Sequence, residues 1–114
     1  MPPRQWAMRI TDILDAIEAI QEFTAGTDFA AFAHDRKTID AVLRNFTVIG
    51  EAARYVPKDV TAAHPEIPWQ DMRDMRNIIT HQYFGVNLRI IWDTIQLDLP
   101  PLIPQLQHIL DETA

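Results

Sequence analysis

Apolar residues recur at spacings of three and four along almost the whole chain, and that period admits few folds. In RQWAMRITDILDAIEAIQEFTAG they fall at Trp6, Ile10, Ile13, Leu14, Ile17 and Ile20, which an α-helix turning about 100° per residue gathers on one face. Gly26 is placed to stop this helix, and Asp28 to accept hydrogen bonds from the free amides that open the next. A second, long helix is expected from about Phe29 to Tyr55, with Phe32, Ile39, Val42, Leu43, Phe46, Ile49 and Ala53 turned inward.

The stretch VPKDVTAAHPEIPW carries three prolines and reads as a connector with at most one helical turn, near Asp59 to Ala63. Pro68 can open a third helix bearing Trp69, Met72, Met75, Ile78 and Ile79. Gly85 then permits a turn and Asn87 a cap. The last stripe, Ile91, Ile95, Leu99, Leu102, Leu106 and Ile109, lies on a fourth helix expected to kink or break near Pro100, Pro101 and Pro104. Strict apolar–polar alternation between hairpin turns, internal repeats and low-complexity tracts are absent from the sequence. The pattern predicts an all-α, up-and-down bundle of four to five helices, and 114 residues at 47% hydrophobic content suit one domain spanning 1–114.

Charge and cysteine count narrow the function. Sixteen acidic against ten basic side chains leave a net charge of −6, so no global positive field gathers nucleic acid or an anionic membrane, and any such partner must be held locally. The lack of cysteine excludes a disulfide scaffold, thiolate chemistry and sulfur-based metal sites, and fits a reducing cytoplasm. Arg9, Asp12, Asp15 and Glu18 interrupt what would have to be the apolar core of an export signal. No stretch approaches the roughly 20 apolar residues that cross a bilayer. His34, His64 and His108 show no metal-ligand spacing, so neither a metal nor another cofactor is expected.

One stretch is chemically unlike the rest. MRNIITHQYF sets Arg76, Asn77, His81 and Tyr83 together in apolar surroundings. On a helix Asn77 and His81, four apart, lie nearly in line, with Arg76 on the adjoining flank. Histidine moves protons near neutrality, and arginine grips a phosphate through parallel hydrogen bonds. That pair suits cleavage of a phosphodiester: in RNA the 2′-hydroxyl needs a base, the leaving 5′-oxygen an acid, and the crowded phosphorus positive charge. One histidine per chain is sparse for this, whereas two copies facing across a symmetric dimer supply two histidines and two arginines. The plainer alternative has Arg76 paired with Asp71, Asp74 or Glu51 and His81 capping the carbonyls that close its helix. Residue types alone do not exclude it. In LRNFTVIGEAA, Arg44 and Glu51 are candidates to reach the site, the alternative for each being an ordinary ion pair, and Gly50 could admit a neighbouring helix. Asp35 and Asp40 read as solvated acids, and Trp69 and Trp92 as core.

RNIITHQYF resembles the R-x4-H-x-Y signature of the HepT-like branch of the HEPN superfamily, α-helical ribonuclease toxins. The resemblance extends through DRKTIDAVLRNFTVIGEAARYVP, HPEIPWQDMRDMRN and IIWDTIQLDLPPLIPQL, nearly the whole chain. It implies a HEPN-like bundle and a homodimeric, metal-independent endoribonuclease with Arg76 and His81 in a cleft between protomers, supported by Asn77. It also implies a partner, a small MNT-type nucleotidyltransferase antitoxin that transfers AMP from ATP to Tyr83. A negatively charged adenylate beside Arg76 and His81 would occupy the phosphate site and repel RNA. The competing expectation, motivated by the acidic net charge, is a non-catalytic helical subunit that docks the nucleotidyltransferase.

Overall fold

A computed structural model describes residues 3–113, so residues 1, 2 and 114 of the expected 1–114 domain lie outside the described residues. Seven α-helices follow in order: α1 (Pro3–Thr24), α2 (Phe29–Ala33), α3 (Arg36–Arg54), α4 (Lys58–Ala63), α5 (Trp69–Gln82), α6 (Leu88–Asp93) and α7 (Leu99–Thr113). A 3₁₀ turn, Tyr83–Gly85, continues α5, and a π-helical stretch, Thr94–Asp98, joins α6 to α7. The described residues contain no strand. The fold is all-α: four long rods, α1, α3, α5 and α6–α7, with α2 and α4 as short additions.

Particular contacts fix the up-and-down order. Arg9 near the start of α1 stacks on Tyr55 at the end of α3, so these helices run antiparallel. Asp40 early in α3 meets Tyr83 beyond the end of α5, while Glu51 late in α3 meets Arg76, so α3 and α5 are antiparallel as well. The expected inward stripes form one apolar core. On α1, Ile10, Ile13, Ile17 and Ile20 are fully buried, as are Phe32, Val42, Leu43 and Ala53 on α2 and α3. Burying such a side chain contributes about 1.5–3 kcal/mol, which makes this core the main source of stability.

Two expectations need correction. The long second helix is two: α2 ends at His34, and Asp35 caps α3 by accepting from the Thr38 amide at 3.1 Å and the Thr38 hydroxyl at 2.7 Å. Those bonds, the hydroxyl's first, hold the Asp35 carboxyl below the usual aspartate range. Ile78, assigned to the inward stripe of α5, is 48% exposed. The last rod is irregular next to its prolines, as expected, and stays helical through them. It widens before them, where the Leu99 amide reaches back five residues to the Thr94 carbonyl, and α7 then runs on with Pro104 inside it. A proline ring strikes the carbonyl four residues earlier. For Pro100 and Pro101 those carbonyls belong to Gln96 and Leu97, within the widened turn, which makes room for the rings.

Other sequence signals behave as expected. Gly26 ends α1 with φ of 72°, a conformation glycine adopts without penalty, and Asp28 caps α2 through the Ala31 amide at 2.8 Å. Asn87 caps α6 by accepting from Arg89 at 3.0 Å and Ile90 at 3.2 Å. Trp69 is buried and Trp92 half-buried against Phe29 and Phe32. No helix among the described residues is long and apolar enough to cross a membrane.

Candidate active site on α5

The crossing of α3 and α5 is set by a missing side chain. A Cβ on Gly50 would collide with the Cβ of Arg76 and lie 2.7 Å from the Met72 carbonyl oxygen, so glycine lets the two backbones touch here. This contact carries Arg76 to the edge of α3, where its Nε stands 3.5 Å from Oε2 of Glu51. Arg76 Nη1 donates to Oδ1 of Asn77 at 3.2 Å. Of the three acids within reach on paper, Glu51 is the partner. The Arg76 side chain stays 37% exposed, so it is open to a ligand, and an ion pair this wet is worth little net energy.

Beside it lies an open polar cavity of about 400 Å³, lined by Gly50, Arg54, Gln70, Arg73, Arg76 and Asn77. His81 is not among the lining residues. It sits exposed in the last turn of α5, and among the described residues its side chain makes no hydrogen bond or ion pair, so it does not cap that helix. Arg44 is exposed on α3 and likewise unpaired among the described residues. The structure therefore brings together Arg76, Asn77 and Glu51, keeps His81 accessible farther along the same helix, and leaves Arg44 outside the cluster.

Tyr83 belongs to a second cluster. Its hydroxyl donates to Oδ1 of Asp40 at 2.7 Å, and the same oxygen lies 3.0 Å from Nη2 of Arg36. The Arg36 guanidinium stands over the rings of Tyr83 and Phe84 at 5.5 and 5.8 Å. The Asp40 hydrogen bond, with burial and the carboxylate's charge behind it, raises the Tyr83 pKa above its ordinary 10.0, with Arg36 opposing. The phenol is thus protonated at neutral pH and needs a proton acceptor to react. Phe84 is 92% exposed, which removes it from the bundle core.

Arg54, Arg73, Arg36 and Asp40 have no place in the sequence-based site. Arg73 was detectable in principle, three residues before Arg76 on the same flank. Asp40 and Tyr83 are 43 residues apart and nothing local joins them. Elsewhere, Glu112 takes His108 at 2.8 Å and His64 at 3.5 Å, and among the described residues no three His, Asp or Glu side chains form a metal-holding group.

The model of the family described as "Ribonuclease HepT-like" matches residues 13–109. A protein of Thermococcus cleftensis named "Probable ribonuclease HepT" is 46% identical over 93 residues, 82% of this chain and 84% of the relative. Two proteins that carry an RNase assignment in their names are also similar. The one from Methanocaldococcus jannaschii is 36% identical over 112 residues, 98% of this chain and 93% of its own length. The one from Caldanaerobacter subterraneus is 38% identical over 100 residues, 88% and 89% of the two chains. No solved structure matches. A match over most of the chain, with relatives covered nearly end to end, places it: the chain belongs to the HepT-like ribonuclease family.

Proposed function

We propose that this protein is the toxin of a toxin–antitoxin pair, a metal-independent endoribonuclease whose site is completed by homodimerisation. The observation that carries the reading is the exposure of Arg76 and His81 on one helix of a chain from a ribonuclease family. The reaction needs two imidazoles where each chain offers one His81, and no histidine lines the cavity beside Arg76, so a second protomer is the natural source of the other imidazole. Ile78 and Phe84, 48% and 92% exposed around His81, give that surface apolar area of the kind that favours self-association.

In the proposed reaction one His81 takes the proton of a ribose 2′-hydroxyl, whose oxygen attacks the neighbouring phosphorus. The bond to the 5′-oxygen breaks, and the other His81 supplies that oxygen's proton. Arg76 neutralises the extra charge on the phosphoryl oxygens, while Asn77 holds the guanidinium in place. The products are a 2′,3′-cyclic phosphate and a 5′-hydroxyl. Glu51 orients Arg76, and Arg44 has no role in this scheme.

Tyr83 is the proposed switch. Its hydroxyl oxygen attacks the α-phosphorus of ATP held by a nucleotidyltransferase antitoxin, pyrophosphate leaves, and Asp40, which already accepts the hydroxyl's hydrogen bond, takes the proton. The tyrosyl adenylate adds negative charge near the end of α5 and disfavours RNA. A non-catalytic subunit that only docks the antitoxin is the second reading, favoured by the net charge of −6.

The deciding experiment is RNA cleavage by the purified dimer in EDTA, with His81→Ala and Arg76→Ala proteins of checked fold. Loss of about 10²–10⁴-fold is expected for His81→Ala, the usual scale of general acid–base catalysis. Undiminished cleavage by His81→Ala removes the nuclease assignment, and a wild-type protein that binds the antitoxin without turning over RNA selects the second reading.

A further inference from the structure

The cavity beside Arg76 collects more positive charge than one scissile phosphate needs. Arg54, Arg73 and Arg76 line it together, with the amides of Gln70 and Asn77 and no carboxylate, although the protein as a whole carries −6. Arg54 comes from the last turn of α3, and Arg73 and Arg76 from one flank of α5. The Gly50 contact holds the two helices close enough for these side chains to share a wall.

Their present partners are weak ones. Glu51 reaches Arg54 at 3.9 Å and Arg76 at 3.5 Å, with all three side chains between 37% and 62% exposed. Arg73 donates to the neutral amide oxygen of Gln70 at 3.1 Å, and Gln70 in turn engages Asp74 at 2.8 Å. Loose, hydrated pairs of this kind are readily exchanged for phosphate oxygens, which guanidinium groups bind through two parallel bonds. From Arg73 to His81 the helix rises roughly 12 Å, room for a few nucleotides of an extended strand.

We infer that Arg54 and Arg73 form a backbone-phosphate subsite for the RNA strand flanking the cleaved bond, so that an acidic protein holds a polyanion through one local cationic cavity. The inference rests on the ribonuclease reading for the identity of the polymer as RNA. Its chemistry is non-sequence-specific, since guanidinium–phosphate contacts position a strand without reading bases.

The test is binding of a fluorescein-labelled, unstructured RNA dodecamer to His81→Ala protein, followed by anisotropy across a salt series. Each phosphate contact on a single strand contributes a slope of about −0.7 to log affinity against log salt. Arg54→Gln and Arg73→Gln, each placed in the His81→Ala background, should shallow the slope by about 0.7 each and together by about 1.4. Arg89→Gln, which removes the same charge from α6, should leave the slope as it was. Equal slopes for the cavity variants and the Arg89 control overturn the subsite. Wild-type cleavage assayed in parallel separates the two claims. Arginine-dependent binding without cleavage keeps the subsite and removes the nuclease reading. Cleavage with unaltered slopes does the reverse, and a protein that neither binds nor cleaves loses both.

Discussion

Tyr83 shows how much of a residue's chemistry is decided by a neighbour remote in sequence. Its hydroxyl was legible as a polar group next to an arginine–histidine motif, yet the partner that sets its proton affinity, Asp40, lies 43 residues away. Nothing in DRKTID marks that acid as different from Asp35, the residue that opens the same stretch, and both read as solvated. The hydrogen bond to Asp40 raises the phenol above 10.0, so the folded protein holds this proton more tightly than the unfolded chain. The resulting stabilisation is fully present below about pH 10 and is lost as pH rises through the raised value. Asp40→Asn removes the negative charge and should bring the ionisation of Tyr83 down toward that of a free tyrosine. Phenolate absorbance during alkaline titration measures it, with Tyr83→Phe separating the signal from Tyr55, the other tyrosine in the chain. An unmoved titration in Asp40→Asn means that the contact is not maintained in solution.

At the scale of elements, what is periodic could be read and what depends on two helices meeting could not. The isoleucines of α1 and the stripe of α6–α7 are buried as their spacing requires. The break at His34–Asp35 escaped the periodicity because Phe32 and Ile39 are seven residues apart, two full turns, so the stripe keeps its phase across the interruption. Ile78 misled for the opposite reason: it stands beside Ile79 on α5, and only Ile79 lies within the arc that faces the core. Gly50 was recognisable as a place for close approach, but its contact with Met72 and Arg76 decides why Glu51, rather than Asp71 or Asp74, became the partner of Arg76. Gly50→Ala tests that role. Alanine gains about 1 kcal/mol in helix propensity, while overpacking costs about 1–3 kcal/mol. The clash is with backbone and a Cβ, which cannot swing aside, so the cost falls toward the upper end and a net loss of up to about 2 kcal/mol in urea unfolding is expected. A stabilised Gly50→Ala protein means that α3 and α5 stand farther apart than described.

For the whole molecule the question is whether one chain is a complete catalyst. Arg76 faces the cavity shared with α3, and His81 stands open at the far end of α5, so the proposed chemistry requires groups from two protomers around one phosphate. A symmetric site of that kind makes a prediction that a self-contained one does not. A protomer carrying both Arg76→Ala and His81→Ala brings neither group, and its homodimer should be inactive. Exchanged in equal amount with wild type, it forms heterodimers that hold one imidazole and lack either the base or the acid of the proposed reaction. If exchange is statistical, about half of the wild-type protomers end in such heterodimers, and RNA cleavage per wild-type protomer should fall to about half. Complete exchange, verified by mass spectrometry, with undiminished cleavage would mean that each protomer supplies both groups to its own site, and the shared cleft would have to be abandoned.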